Sequence, residues 1–292
     1  MNDIQTTQFS VRVGVAVSPF EGFSPSELLR GLRLLGVEFV EINNAVLPEI
    51  DRVVENIGAM TTAFHLPLVC EDGWDFSCAD HQSEINETIH TLNAYRKKLR
   101  ISHVISHPPE AALLADPSVS STASLLQNLK RLHLPVYFEN VPAVNENEFE
   151  RTVADAQSVL GKQFAGLCFD APHYYITGKD PIEKFRLANS RVGCIHLSDC
   201  TADQDNHIPF NCGGTLPVDE FLRQVADSSF SGFITLEIKP EAMNQLDAYI
   251  NSYLTTLQYV NYSKYLKTRL RLFALRPLIN RFTAFEFNKK VA

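Results

Sequence analysis

Residues 164–173 read FAGLCFDAPH, and residues 192–207 read VGCIHLSDCTADQDNH. Each opens with a short apolar run suited to a strand covered on both faces. Each run stops on a group able to bind a metal, Asp170 in the first and His196 in the second. Outward from these two, the pattern recurs near 11–18 (VRVGVAVS), 37–43 (VEFVEIN), 60–66 (MTTAFHL), 102–107 (SHVISH), 135–140 (PVYFEN) and 232–238 (GFITLEI), eight strands in all. Amphipathic stretches fill the gaps near 47–57, 82–99, 117–132, 146–160, 180–189, 217–227 and 243–260. Such alternation marks βα units around a parallel sheet.

The helix before these is the best delimited. Ser24-Pro25-Ser26-Glu27 supplies an N-cap, a proline at the first helical position and an acid at the third, and Gly36 follows the last apolar residue as a left-handed cap. Eight strand–helix units can wind into an open sheet or close into a barrel. Eight is the barrel's number, and no Gly-rich phosphate loop follows the first strand. We therefore read a single α/β domain, a (β/α)8 TIM barrel over residues 11–260, followed by a basic amphipathic extension over 261–292.

Apolar residues are 45% of the 292 and charged residues 21%, enough core for one large domain and too few charges for global disorder. No apolar run is long enough for a transmembrane helix, and MNDIQTTQFS lacks the basic start and apolar stretch of a signal peptide. The six cysteines form no C-x-x-C pair and read as reduced residues of a cytoplasmic protein. The net charge of −8 is uneven: residues 261–292 hold eight Lys or Arg against Glu286 alone, which leaves −15 on the rest. So acidic a body disfavours a nucleic-acid partner, although it leaves room for a local basic groove.

In a barrel the carboxyl ends of the strands surround the active site. Here those ends carry His65, His107, Glu139, Asp170, His196 and Glu237, with His173, Asp205 and His207 just downstream. Glu139, Asp170 and Glu237 would repel one another in a water-poor mouth unless a cation joined them. Imidazole mixed with carboxylate suits Zn, Mn, Co or Fe, in a site for roughly one to three ions.

The segments FHLP, SHPP, FEN, FDAPH, HLSD followed by DNH and GG, and LEIKP resemble the xylose-isomerase-like barrel superfamily over the whole of 11–260. That superfamily contains sugar and sugar-phosphate isomerases and epimerases and the endonuclease-IV-type apurinic endonucleases. The resemblance implies a central metal held by Glu139, Asp170, His196 and Glu237. It implies that His173 contacts substrate in the epimerases or binds a further metal in the endonucleases. His65, His107, Asp205 and His207 match the extra ligands of the three-zinc endonucleases. The loop SPFEGFSPSELL is more like the isomerases, and the loop after His65 is acidic, with Glu71, Asp72, Asp75 and Asp80.

Three functions compete. The first is a metal-dependent isomerase or epimerase of a sugar or sugar phosphate. Its metal would stabilise an enediolate while Glu139 and Glu237 move the proton. The second is a metal-dependent phosphodiester hydrolase of the apurinic-endonuclease type, and the third a barrel with a structural metal only. Trp74 is a candidate for stacking on a sugar or base, or for pinning its loop. Lys239 is a candidate for neutralising a carboxylate or meeting a phosphate, and Glu41 for contacting substrate or bonding within the fold. His103 is expected on the strand face opposite the site, and His81, His90 and His133 in solvent. On the extension, a helix over 264–275 would group Leu266, Leu270 and Phe273 on one face and Lys264, Lys267 and Arg271 on another, with Pro277 ending or kinking it. Docking on the acidic barrel, self-association into a homo-oligomer and binding to anionic lipid are its three candidate roles.

Overall fold

Eight parallel strands close into a barrel in this computed structural model, which describes residues 11–18, 23–239 and 246–291, with side chains as far as Pro277. The barrel strands are β1 (Arg12–Val17), β2 (Phe39–Ile42), β3 (Thr61–His65), β4 (Ile101–Ser106), β5 (Val136–Glu139), β6 (Phe164–Asp170) and β7 (Val192–Leu197). A hairpin of β8 (Asp199–Thr201) and β9 (Gln204–Ile208) intervenes before the last, β10 (Phe233–Leu236), which pairs with both β7 and β1. All eight expected strands are present, most of them one or two residues shorter at an end.

Helices separate them: α1 (Pro25–Leu35), α2 (Ile50–Ile57), α3 (Val69–Asp72), α4 (Gln82–Tyr95), α5 (Thr122–Lys130), α6 (Glu146–Leu160), α7 (Ala171–Ile176), α8 (Pro181–Ala188), α9 (Val218–Asp227), α10 (Leu246–Val260) and α11 (Tyr262–Val291). Ser24 and Glu27 form the expected capping box of α1, and Gly36 ends it at φ 78°. The helix expected over 117–132 is split, because Ser121 adopts extended backbone and caps a new start at Thr122. Among the described residues no helix is long and apolar enough to cross a membrane.

Alternation along each strand builds two cores. Residues such as Val13, Val15, Val40, Phe64, Val104, Phe138, Phe169, Ile195 and Leu236 point outward into one continuous apolar layer beneath the helices. Inside the barrel lies a separate plug of Ile105, Cys168 and Cys194 with Tyr137 and Phe233 against it. Phe39 and His103 join this plug, His103 lying 4.6 Å from Phe233 and 5.0 Å from Tyr137 between ring centroids. Gly14 is required here, since a Cβ on it would sit 2.3 Å from the Phe39 ring. His103 therefore does not take the face opposite the site. It has the same parity as Ile105 and His107 and lies below them, with its Nε2 3.2 Å from Cys194 Sγ.

The extension folds back on the barrel. Lys264 pairs with Glu38, Arg276 pairs with Asp247 at 3.0 Å, and the Arg271 guanidinium lies against Gly36. The side turned to the barrel mixes Lys264 and Arg271 with Tyr265, the buried Thr268, Leu272 and Leu275, while Lys267 is exposed and Leu266, Leu270 and Phe273 are 46%, 71% and 84% exposed. Of the two outcomes expected at Pro277, ending the helix does not occur, since α11 runs on to Val291. The carbonyl its missing N–H leaves unpaired is that of exposed Phe273, where solvent can take up the bond.

Candidate metal centre

Strand parity carries one polar side chain from each of several strands to the open end of the interior. Donor atoms of Glu139, Asp170, His196 and Glu237 all lie within 4.8 Å of one another. A second group, His65, His107 and Glu139, meets the same criterion. Glu139 belongs to both: its Oε2 is 3.1 Å from His65 Nε2, 3.3 Å from His107 Nε2 and 3.2 Å from His196 Nδ1. Beside them, Asp205 Oδ2 is 3.0 Å from His173 Nε2 and 3.4 Å from His207 Nε2. His173 Nδ1 is in turn 3.4 Å from both Glu139 Oε1 and Asp170 Oδ1. All nine donors named from the sequence thus form one patch.

Four imidazoles each turn one ring nitrogen to a carboxylate of the cluster and are held at the other. His65 Nδ1 bonds Leu66 O at 3.0 Å, His107 Nδ1 bonds Glu110 Oε2 at 3.1 Å, His173 Nδ1 bonds Asn140 O at 2.7 Å, and His196 Nε2 bonds Glu41 Oε2 at 3.1 Å. A neutral ring that donates there must offer a lone pair from its other nitrogen. His196 Nδ1 is buried without a hydrogen-bond partner, yet stands 3.2 Å from Glu139 and 3.3 Å from Glu237. A lone pair opposite a carboxylate repels it unless a cation or proton lies between. The donor set therefore fits a divalent cation, with Glu41, Glu110, Leu66 O and Asn140 O orienting the rings from behind.

Electrostatics of the protein groups alone express the same demand. Burial by itself would push His107 and His173 down. Glu139 and Glu110 instead raise His107 to about 9, and Asp170 and Asp205 raise His173 to about 10. Burial, reinforced by Glu139, Asp205 and Glu237, holds Asp170 well above the carboxylate range. Burial would also raise Glu139, but His196 and His107 hold it well below its ordinary value.

Local sequence explains the placements. Asp170 is the N-cap of α7, accepting from His173 N at 2.6 Å, and Pro172 fixes the first turn, so D-A-P-H presents His173 beside Asp170. Asn140 bonds the Asp170 backbone in both directions, at 2.9 and 3.0 Å, and so ties β5 to β6 under the donors. Asp205 and His207 ride on β9, and Asp199 anchors this hairpin by accepting from Cys200 N at 2.9 Å and Leu216 N at 3.2 Å. The Gly-Gly turn serves that contact: a Cβ on Gly214 would lie 2.0 Å from Asp199 Oδ1, and Gly213 has φ 104°.

The three other candidates fall differently. Glu41 is 2% exposed and accepts from His196 and from Thr235 Oγ1 at 3.1 Å, which supports the His196 ring, and its carboxylate also groups with His65, His196 and Glu237 at the cavity wall. Lys239 lines the cavity and pairs with Glu71 at 2.7 Å. Trp74 stacks on Phe76 and His81 and is not among the described residues lining the cavity; of its two expected roles, the stacks match pinning of the loop. Sequence reasoning missed Glu110, Asn140 and Asp199 as supports. Glu110 carried the one available signal, an acid three residues after His107.

No curated protein sequence matches the chain. Among solved structures, an AP endonuclease, family 2, from Brucella melitensis superposes with TM-score 0.61 at 13% identity, over 80% of this chain and 94% of that one. A 3-keto-D-glucoside 4-epimerase from E. coli gives 0.59 at 15%, over 83% and 98%. An L-ribulose 3-epimerase gives 0.57 at 16%, over 91% and 98%. Identities this low speak for the fold alone. The family described as xylose isomerase-like TIM barrel matches residues 30–253, well over half of the sequence, and the chain belongs to that family.

Proposed function

We propose that this protein is a divalent-metal-dependent enzyme that hydrolyses a phosphate ester of a small molecule at a polynuclear centre. The observation that carries this is the overlap of the donor groups: among the described residues Glu139 belongs to three of four, including both the His65–His107 pair and the central set. A single central ion would use Glu139, Asp170, His196 and Glu237 and leave His65 and His107 only to hydrogen-bond Glu139, whereas further ions would use both rings as ligands. When bound, paired or triple divalent ions supply charge for a phosphate and a nucleophile from water near neutral pH.

The chain's own groups do the rest. The rings are pre-oriented, so little is lost in ordering them. Glu237, with a side chain 16% exposed, is the most accessible carboxylate of the central group and the one suited to hold a proton of the reacting water. Lys239 brings a cation to the cavity wall for the anionic head. Zn, Mn, Co or Fe match the nitrogen and oxygen donors. The acidic body and the acidic loop after His65 favour a small phosphorylated polyol over nucleic acid. Six free cysteines support a reducing, cytoplasmic location. We divide the chain into a barrel over 11–260 and a basic extension over 261–292, supported by the end of α10 at Val260 and the start of α11 at Tyr262.

The second reading is isomerisation or epimerisation of a sugar or sugar phosphate. It is favoured by Glu139 and Glu237 standing together beside His196, as a pair of proton carriers would. Two measurements separate the two. Protein purified without chelator should carry about two to three ions. It should release nitrophenol from bis(4-nitrophenyl) phosphate until the metal is stripped. One ion per chain, no ester cleavage and uptake of solvent deuterium by a ketose would reverse the order.

A further inference from the structure

The barrel mouth does not end at the donors. A continuous cavity of about 1130 Å³ starts at Glu41, His65, Glu139 and Glu237 and extends past Val15 and Val17 to a space walled by α1, α10 and α11. A pocket for an ordinary small ligand is about 300–1000 Å³. The far part is apolar. Leu28, Leu32 and Leu35 follow one another at helical spacing on α1, and Leu272 and Leu275 face them from α11.

Apolar stripes of this kind normally close on each other. Here α11 is tied by charge near its start, through Lys264 to Glu38, and at mid-length, through Arg276 to Asp247, and Leu28, Leu32, Leu35, Leu272 and Leu275 all stay half-buried along the cavity. At Gly31, an exposed position midway along the α1 wall and on the cavity lining, a Cβ would meet nothing within 4 Å. Ordered water needs two to four polar partners; the hydroxyls of Tyr253 and Thr268, both buried without a hydrogen-bond partner, offer a foothold at the α10 and α11 side, while the leucines opposite offer none.

We propose that this chamber takes the hydrocarbon chain of an amphiphilic substrate, a long-chain phosphate ester whose anionic head sits at the donor cluster. The assignment rests on reading that cluster as the reaction site, and it commits the extension to forming one wall of the substrate chamber. Its support is continuity: one cavity joins the donors, which with cations bound would attract an oxygen-rich anion, to walls that are mostly hydrocarbon.

The test uses the full chain loaded with zinc or manganese, and a series of alkyl phosphates from ethyl to decyl below their micelle concentrations. Calorimetry should show binding about fourfold tighter for each added methylene until the chamber is full. Gly31→Phe and Leu272→Trp fill it from opposite walls, and each should flatten that dependence, with melting temperature and metal content reporting that the variants fold. Affinity independent of chain length in the unaltered protein would overturn the chamber even if ethyl phosphate is hydrolysed. An unaltered chain-length dependence in both variants would overturn it too. Conversely, chain-length-dependent binding in protein that takes up no metal and cleaves no ester would uphold the chamber and overturn the hydrolase.

Discussion

Glu41→Gln isolates the support of one donor from the donor itself. Glu41 is buried at 2% exposure, bonds His196 Nε2 at 3.1 Å and accepts from Thr235 Oγ1 at the same distance. It is one of four groups that hold an imidazole from behind, and the one behind the ring with an orphaned nitrogen. The amide keeps the volume and can still accept a hydrogen bond. It removes the negative charge that makes the ring more basic and a better ligand. Loss of such a partner typically weakens metal binding ~10–100-fold, or about 1.4–2.7 kcal/mol. Competition against a chromophoric chelator should therefore show the tightest ion lost by that factor in Glu41→Gln. Ions bound mainly by His65 and His107 should change less, because Glu110 and the Leu66 carbonyl hold those rings. An unchanged affinity for every ion, in a variant of normal melting temperature, would refute the claim that the second layer tunes the centre.

Other consequences are simpler to measure. Glu139→Gln should abolish turnover and lower metal content by more than one ion, whereas Glu237→Gln should abolish turnover with a smaller loss of metal; equal metal loss in both would deny Glu139 its shared position. Gly214→Ala drives a methyl into the buried Asp199 carboxylate and should cost about 1–3 kcal/mol, read as a lower midpoint in urea, with weaker metal uptake at Asp205 and His207. Deleting residues 262–292 removes the Lys264 and Arg276 ion pairs and the buried Thr268, so the melting temperature should fall. Unchanged stability together with lost adsorption to anionic vesicles would move the helix from barrel to membrane.

Much of this was legible because a barrel strand writes its two faces in alternate letters. Phe39 and Glu41, Tyr137 and Glu139, Cys168 and Asp170, and Cys194 and His196 each pair a plug residue with a mouth residue two positions on. The same rule would have placed His103, two steps below Ile105 and four below His107. The hairpin of β8 and β9 was not legible, because QDNHI has no apolar period and its fold depends on Asp199 and the Gly-Gly turn. Glu110 was hidden for a related reason: a buried acid in a loop looks like a solvated one until its imidazole partner is placed. The inward side of α11, with Tyr265, Thr268, Leu272 and Leu275, was not legible, because the stronger apolar spacing of Leu266, Leu270 and Phe273 lies on its exposed side.

The aromatic plug of Phe39, His103, Tyr137 and Phe233 stops the lower end of the barrel. The interior is consequently sealed below the donors, and anything that reaches them comes from above, by the mouth or along the space beside α1 that is continuous with it. A barrel stoppered in this way keeps its chemistry-bearing groups and its packing in separate storeys, so the lip can be rebuilt without disturbing the foundation.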